Sequence, residues 1–394
     1  MKHLFRKIFK NFKYMDKQLL IVSLIMIAYG LLNIVTASSR EAVDKEVPLY
    51  YFFFKQSIML IIGLIIGLII IKTDTGSKKF STISMLGFIA IGICLVYLSL
   101  YGDSNRGAKN WISIAGITFQ PSELAKPIII VCLSLLFEKY YNYFKTKGIN
   151  HYNKIALILF IGLTYAAIIF FQKDLGTMLI ICIIFIVLFL ASPILRIEKV
   201  KTSMTVLVAG TICILILMVG TGGKVLSEAQ LERFNFFNPC KNYETSGYQI
   251  CNSFIAINDG GLTGLGIGKS KQKYSYIPEP HTDSVFAIIA EENGLIFCAF
   301  IFIGYMVILW RILEISSRAT TIRGRYISLG VATYFFAHIF INLGGLFGII
   351  PLTGVPLPFL SYGGSFLISS ICSLCLVQRV SIETSLSNID TKVM

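Results

Sequence analysis

The sequence predicts an all-α polytopic membrane protein, and three observations predict it. The 394-residue chain has a mean hydropathy of +0.74, with 55% hydrophobic and 14% charged residues, which leaves too little polar surface to close a soluble globule. Its apolar residues fall in blocks of the roughly 17 to 25 residues that a membrane helix needs. Basic residues are concentrated in the gaps between blocks, with 22 of the 35 in every second gap.

Cutting at the polar gaps gives about ten spans by that length criterion, at 18–38, 54–72, 82–101, 122–137, 154–171, 175–192, 203–221, 284–310, 326–348 and 364–378. The first follows a basic stretch, Met1 to Lys17, that resembles a signal peptide. Its apolar run exceeds the roughly 7 to 15 residues of a signal h-region, so it is expected to stay attached as a helix. The second carries Gly63 and Gly67, a pair that suits a close helix crossing. The fourth opens at Pro121 and Ser122, and the fifth and sixth are separated by the turn Gln172 to Thr177. The fourth and the last two or three are short or interrupted.

Orientation follows from the basic residues, because cytoplasmic loops collect Lys and Arg. Most of the 35 fall on one side, in Met1 to Lys17, around Lys78 and Lys79, between Lys139 and Lys154, around Lys199, between Arg311 and Arg325, and in the tail 379–394. Both termini are therefore expected to be cytoplasmic, flanking a transmembrane domain over 18–378 with a large extracytoplasmic loop at 222–283 between helices 7 and 8. The +14 net charge is a topology signal, and no nucleic-acid partner is implied. The cytoplasmic gaps are short and lack a Walker motif, HExxH or a Ser/His/Asp pattern, so nothing there points to ATP use or hydrolysis.

The unusual sequence lies on the other side: Gly102 to Ser122, Gln172 to Thr177, the large loop, and Pro351 to Gly364. Long loops in compact domains are more often functional than inert. The most informative stretch is IPEPHTDSVFAIIAEE, from Ile277 to Glu292, which sets His281 and Asp283 against the eighth span. Thr282 or Asp283 can simply cap that helix. Against this, Asp283 is followed by Glu291 and Glu292, more acids than a cap needs. Three acids on one span suggest a hydrated cavity, in which like charge and partial desolvation raise a pKa toward that of a general base. His281 either binds substrate or metal or makes ordinary hydrogen bonds.

Glu123 and Lys126, three residues apart at the mouth of the fourth span, share a helical face. They either anchor a phosphate and a sugar hydroxyl or form a structural ion pair, and the two roles are compatible. Asp174, in QKDLGT, is an ordinary turn residue whose interest comes from facing the same side as Asp283. The large loop holds Arg233, Lys241, Lys269, Lys271 and Lys273 among tyrosines. Its GGLTGLGIG run, Gly260 to Gly268, is either a phosphate-facing lid built on backbone N–H groups or plain turn-making glycine. Seven of the nine cysteines lie in spans, where they pack as small apolar residues, and this includes Cys372 and Cys375. Cys240 and Cys251 share the external loop, where a disulfide can persist, and are expected to bridge.

These motifs together resemble the SEDS family of bacterial cell-wall polymerases. The resemblance rests on GAKNW with FQPSELAK, QKDLGT, the GYQ at Gly247 to Gln249, GGLTGLGIG, PEPHTD, and PLTGVPLPFLSYGGS, in that order. It implies ten helices and an enzyme that polymerises lipid II, the undecaprenyl-pyrophosphate-linked disaccharide pentapeptide, into a nascent glycan strand. Asp283 then matches the aspartate held to be catalytic, Glu123 and Lys126 the pair after the QPSE turn, and Asp174 the acid of the QPDLGT-like turn.

Three positions depart from the family's pattern: Ser284 and Val285 after the aspartate, Pro127 after Lys126, where a kink is expected, and Asn293 in place of a leucine. The pyrophosphate is expected to meet Lys126, Arg106, Lys109, Arg233 or the Lys269 to Lys273 cluster, either alone or together with a divalent cation (Mg or Mn). Ser361, in the last motif, and His281 complete the candidate substrate contacts, with no assigned metal ligands. The Lys-rich stretch before PEPHTD leans toward the division-type FtsW branch over the RodA branch. A class B penicillin-binding protein transpeptidase and other divisome or elongasome membrane proteins are the implied partners. A lipid II flippase, a non-catalytic division scaffold and an O-antigen-ligase-like transferase are the rival classes.

Overall fold

The computed structural model describes residues 12–102, 109–114, 117–146, 151–220, 236, 239–242, 247–274, 277 and 279–393. Helices α1 (Lys17–Ala37), α3 (Tyr51–Lys72) and α4 (Lys78–Tyr101) come first, with the short α2 (Ser39–Asp44) between α1 and α3. A two-stranded antiparallel hairpin follows, β1 (Ile112–Ile114) with β2 (Ile117–Phe119), in the register Ile112 opposite Phe119. It leads into α5 (Pro121–Lys139), then the short α6 (Tyr141–Lys145), α7 (Tyr152–Phe171), α8 (Leu175–Ala191) and α9 (Arg196–Gly220). The large loop folds a helix of its own, α10 (Tyr248–Gly260), before α11 (Val285–Arg318), α12 (Ile322–Leu346) and α13 (Gly364–Val393).

Each span read from the sequence overlaps one long helix: α1, α3, α4, α5, α7, α8, α9, α11, α12 and α13. Among the described residues seven of these are long and apolar enough to cross a membrane, and α8 is shorter. The chain is a multi-pass membrane protein. Its exposed residues include Ile21, Ile25, Leu32, Ile61, Ile65 and Ile69. Apolar surface of this kind is suited to lipid and unsuited to water. By contrast α12 and α13 are 83% and 89% buried over their apolar windows, which makes them the centre of the bundle. Gly63 and Gly67 sit where α3 crosses α13, and a Cβ on Gly67 would lie 2.5 Å from Cys375 Sγ.

Two helices break the rule that a membrane helix satisfies its own backbone, and each is repaired locally. In α5 Pro127 has no N–H to give the Glu123 carbonyl one turn earlier, and the Ser369 hydroxyl of α13 donates to it at 2.9 Å instead. The second is α11, where Gly294 takes φ 80° and ψ 170°. The orphaned carbonyls of Glu291 and Glu292 accept from Leu265 and Gly266, each at 2.9 Å. The N–H groups of Leu295 and Ile296 donate to Gly261 and Leu262, at 2.9 and 3.2 Å.

The GGLTGLGIG run thus threads through the break, and its glycines serve close backbone approach. A Cβ on Gly264 would stand 2.3 Å from the Glu292 carbonyl oxygen, at a φ of +80°. Gly264→Ala is accordingly expected to cost on the order of 2 to 4 kcal/mol, combining left-handed strain with a backbone clash, and to lower the unfolding midpoint in detergent by several degrees. An unchanged midpoint would show that the threading is dispensable.

At one end of the bundle the basic residues are tied to acids. Arg311 bonds Asp16 and Glu314, Arg323 bonds Glu138 at 2.7 Å, and Arg379 bonds Glu383 at 2.7 Å. Gln378 holds the Asp16 backbone at both its N–H and its carbonyl, so the start of α1 is fixed to α13. Cys240 and Cys251 form a disulfide, with Cα atoms 5.0 Å apart, that fixes the start of α10.

Candidate active site

The other end of the bundle gathers four segments: the hairpin, the α7–α8 turn, the turn before α11, and 351–364. Asp174 caps α8 by accepting from the Thr177 N–H at 3.1 Å and hydroxyl at 3.0 Å. The same carboxylate accepts from Asn110 at 2.8 Å and Gln120 at 3.1 Å, which fastens both sides of the hairpin to the turn. Lys109, itself half-buried, donates its backbone N–H to the Gln172 carbonyl at 3.1 Å, which places the residue beside this turn.

Asp283 lies in the turn that precedes α11, whose N-cap is Ser284, and the capping reading gives way to a different arrangement. The Asp283 carboxylate accepts from Gln249 of α10 at 3.3 Å and from Thr282 at 3.2 Å. Its backbone carbonyl accepts from Asn342 at 2.7 Å, and Asn342 also donates to the Val355 carbonyl at 2.8 Å. Gly354, at φ +72°, faces the carboxylate, which would be 3.7 Å from a Cβ there. Burial and then the nearby Glu279 charge push Asp283 up to about 6, against the pull of its hydrogen bonds.

The neighbouring groups position this turn. Ser361 donates its hydroxyl to the Thr282 carbonyl and accepts from the Leu357 N–H at 2.8 Å, so it stitches the two segments together. His281 is buried between the rings of Phe52 and Tyr362, with Nδ1 3.2 Å from Glu41 of α2. Burial holds its pKa below the ordinary value, against the opposing charges of Glu41 and Glu279.

Glu291 and Glu292 do not face a cavity shared with Asp283. Glu291 accepts from Ser270 and from the N–H of Lys271 at 2.7 Å, while Glu292 pairs with Lys273 at 2.8 Å. Lys273 is 2% exposed and is thereby a structural cation of the threaded loop, whereas Lys269 and Lys271 are exposed.

Deeper in the bundle Lys126 is 0% exposed and lies 2.7 Å from Glu123 Oε1 and 3.1 Å from His338 Nε2. The ammonium also faces the rings of Tyr334 and Phe366 at 5.9 and 6.0 Å. The ion-pair reading of Glu123 and Lys126 therefore holds as geometry. Arg106 and Arg233 lie outside the described residues. Among the described residues no three His, Cys, Asp or Glu side chains converge as ligands for one ion.

Three polar contacts escaped the sequence reading: Gln249, His338 and Asn342. Gln249 stood in the GYQ motif without a role. The signal for the other two was their occurrence four residues apart in an otherwise apolar span, where polar groups are costly and usually functional.

Residues 16–386 match the family described as cell cycle protein, that of FtsW, RodA and SpoVE. The chain is 32% identical to the probable peptidoglycan glycosyltransferase FtsW of Bacillus subtilis, over 94% of this chain and 92% of that one. It is 31% identical to stage V sporulation protein E of the same organism, over 93% and 96%. Its fold matches a chain from a peptidoglycan synthase complex that coordinates polymerization and crosslinking, at TM-score 0.71, with 21% identity and 94% and 98% coverage. The rod shape determining protein RodA of Thermus thermophilus matches at TM-score 0.64, with 20% identity and 93% and 96% coverage. With the family's pattern matched almost end to end, this chain belongs to the FtsW, RodA and SpoVE family of polytopic membrane proteins.

Proposed function

We propose that this protein is a peptidoglycan glycosyltransferase that polymerises lipid II into glycan strands at the outer face of the bacterial cytoplasmic membrane. The observation that carries the reading is Asp283, a carboxylate raised to about 6 in a turn braced by α10, α12 and the 351–364 segment. The positive residues tied down at the opposite end support placing that end in the cytoplasm and Asp283 outside. Relatives named as probable peptidoglycan glycosyltransferases support the reaction class, and the FtsW names among them favour a division-type role.

Asp283 takes the proton from the C4 hydroxyl of a lipid II GlcNAc as that oxygen attacks the anomeric carbon of the MurNAc at the lipid-linked end of the strand. The bond from that carbon to pyrophosphate breaks, its electron pair leaves with undecaprenyl pyrophosphate, and the anomeric centre inverts. Cations near the departing charge stabilise it. Among the described residues Lys109, half-buried beside the Asp174 turn, and the exposed Lys269 and Lys271 are the available side chains, while Lys126 contributes its field from inside the bundle. A class B penicillin-binding protein transpeptidase is the expected partner, a reading supported by the solved synthase complex that shares this fold.

The test is strand formation from lipid II by the purified protein with its cognate transpeptidase, resolved on a gel. Strands are expected; lipid II movement across the bilayer without strands would replace this reading with the flippase one. The same assay carries a pH prediction. A general base acts when deprotonated, so kcat/KM should climb through a midpoint of about 6 and level off above it. For folding the sign is reversed: a carboxylate whose pKa is raised in the folded state binds protons more tightly there, so its stability contribution declines as pH rises through that window. A rate that is level from pH 5 to pH 8 would remove Asp283 as the titrating base.

A further inference from the structure

His338 is fully buried at the centre of α12, and the mechanism above gives it no part. Its Nε2 lies 3.1 Å from Lys126 Nζ and its Nδ1 lies 3.1 Å from the Pro356 carbonyl oxygen. An ammonium only donates and a carbonyl only accepts, so one tautomer serves both: Nε2 bare and accepting, Nδ1 protonated and donating. The ring is held in place by stacking on Phe366, with centroids 4.5 Å apart, and by the Tyr334 ring at 4.8 Å.

The consequence lies in what the two contacts join. Lys126 and Glu123 belong to α5, whereas Pro356 belongs to the segment that carries Ser361 and abuts Asp283. One turn along α12, Asn342 grips the adjacent Val355 carbonyl and the Asp283 carbonyl. Two successive polar residues of one helix face thus hold adjacent carbonyls of the 351–364 segment, and through them the turn that presents Asp283. Glu123 offers the ammonium one oxygen, at 2.7 Å, and its Oε2 has no partner among the described residues. The imidazole is the second acceptor that fixes where the ammonium points.

We propose that His338 is a positioning residue for the polymerisation reaction: as a neutral Nδ1–H tautomer it holds the Lys126 ammonium and the Pro356 carbonyl in one mutual geometry, which locks the α5 ion pair to the segment that supports Asp283. The inference rests on the glycosyltransferase reading. A purely packing role needs only a flat ring against Phe366 and Tyr334, which phenylalanine supplies. A positioning role needs one acceptor and one donor at nearly the spacing of the ring nitrogens, which the carboxamide of glutamine supplies.

The experiment measures kcat and KM for lipid II with the full-length protein and its partner, comparing wild type, His338→Gln, His338→Phe and Asp283→Asn, each checked by thermal unfolding. His338→Gln is expected to stay within about threefold of wild type, and His338→Phe to lose on the order of tenfold or more in kcat with little change in KM, as misplacement of reacting groups does. Should His338→Phe fail to fold, His338→Asn, too short to reach both partners, takes its place with the same expected loss. A folded His338→Phe with wild-type kcat, or His338→Gln falling as far as His338→Phe, overturns the proposal. If wild type polymerises and either overturning result is seen, this inference alone fails; if wild type makes no strands, it falls together with the functional reading.

Discussion

Asp283→Asn should abolish strand formation while leaving the protein as stable as wild type or slightly more so. Removing a positioned general base costs typically 10²- to 10⁴-fold, and asparagine keeps the shape while losing the ability to take a proton. Its amide can still meet the Gln249 and Thr282 side chains that hold Asp283 at 3.3 and 3.2 Å. The stability side follows from the raised pKa. Burial and the Glu279 charge oppose ionisation of Asp283, so a neutral side chain relieves an unfavourable term. Gel-resolved strands and unfolding midpoints on the same preparations check both halves. Full activity in the folded variant would show that the carboxylate is not the base, and a collapse of the midpoint would show that it braces the fold.

Lys126→Met produces the largest expected loss of stability. The mutation leaves the Glu123 carboxylate buried without its cation, with Oε1 robbed of the 2.7 Å contact and Oε2 already without a partner among the described residues. Breaking a buried pair from one side costs about 3 to 5 kcal/mol, whereas replacing both members by neutral groups is often close to neutral. The double variant Glu123→Gln with Lys126→Met should therefore recover most of the unfolding midpoint that Lys126→Met loses. Strand formation should not recover with it, because the electrostatic contribution of the ammonium is gone. If the double variant is as unstable as the single one, the pair is not what holds this layer together; if it regains activity, Lys126 acts only as a structural counter-ion.

The helical architecture was legible because membrane helices announce themselves by composition over a whole block, and every apolar block read from the sequence overlaps a long helix. What stayed hidden depends on partners distant in sequence. The positive φ of Gly294 goes with a loop some thirty residues earlier that takes over the broken hydrogen bonds. Glu291 and Glu292 looked like companions of Asp283 because helical spacing was the only information at hand, yet their partners are Ser270, the Lys271 N–H and Lys273. α10 was obscured by the turn-rich loop around it.

In the site, charged residues at the mouths of apolar spans were conspicuous, and this picked out Asp283, Glu123, Lys126 and Asp174. A single histidine or asparagine inside a span is a quieter signal, and its meaning rests on which carbonyls it meets. Beside Pro127 the sequence gives no sight of Ser369, whose hydroxyl meets the vacated Glu123 carbonyl.

The interruption at Gly294 also changes what Asp283 is attached to. The segment from Val285 to Asn293 is bonded through its carbonyls to the threaded loop, and the longer remainder of α11 begins afresh at Leu295. Asp283 therefore stands at the head of a short rod whose far end is bonded to the threaded loop. The same loop also bonds the other side of the joint, accepting from the Leu295 and Ile296 N–H groups at Gly261 and Leu262, so it splints the break. The threaded part of the large loop is thus joined to the rod that leads to Asp283 by direct backbone hydrogen bonds.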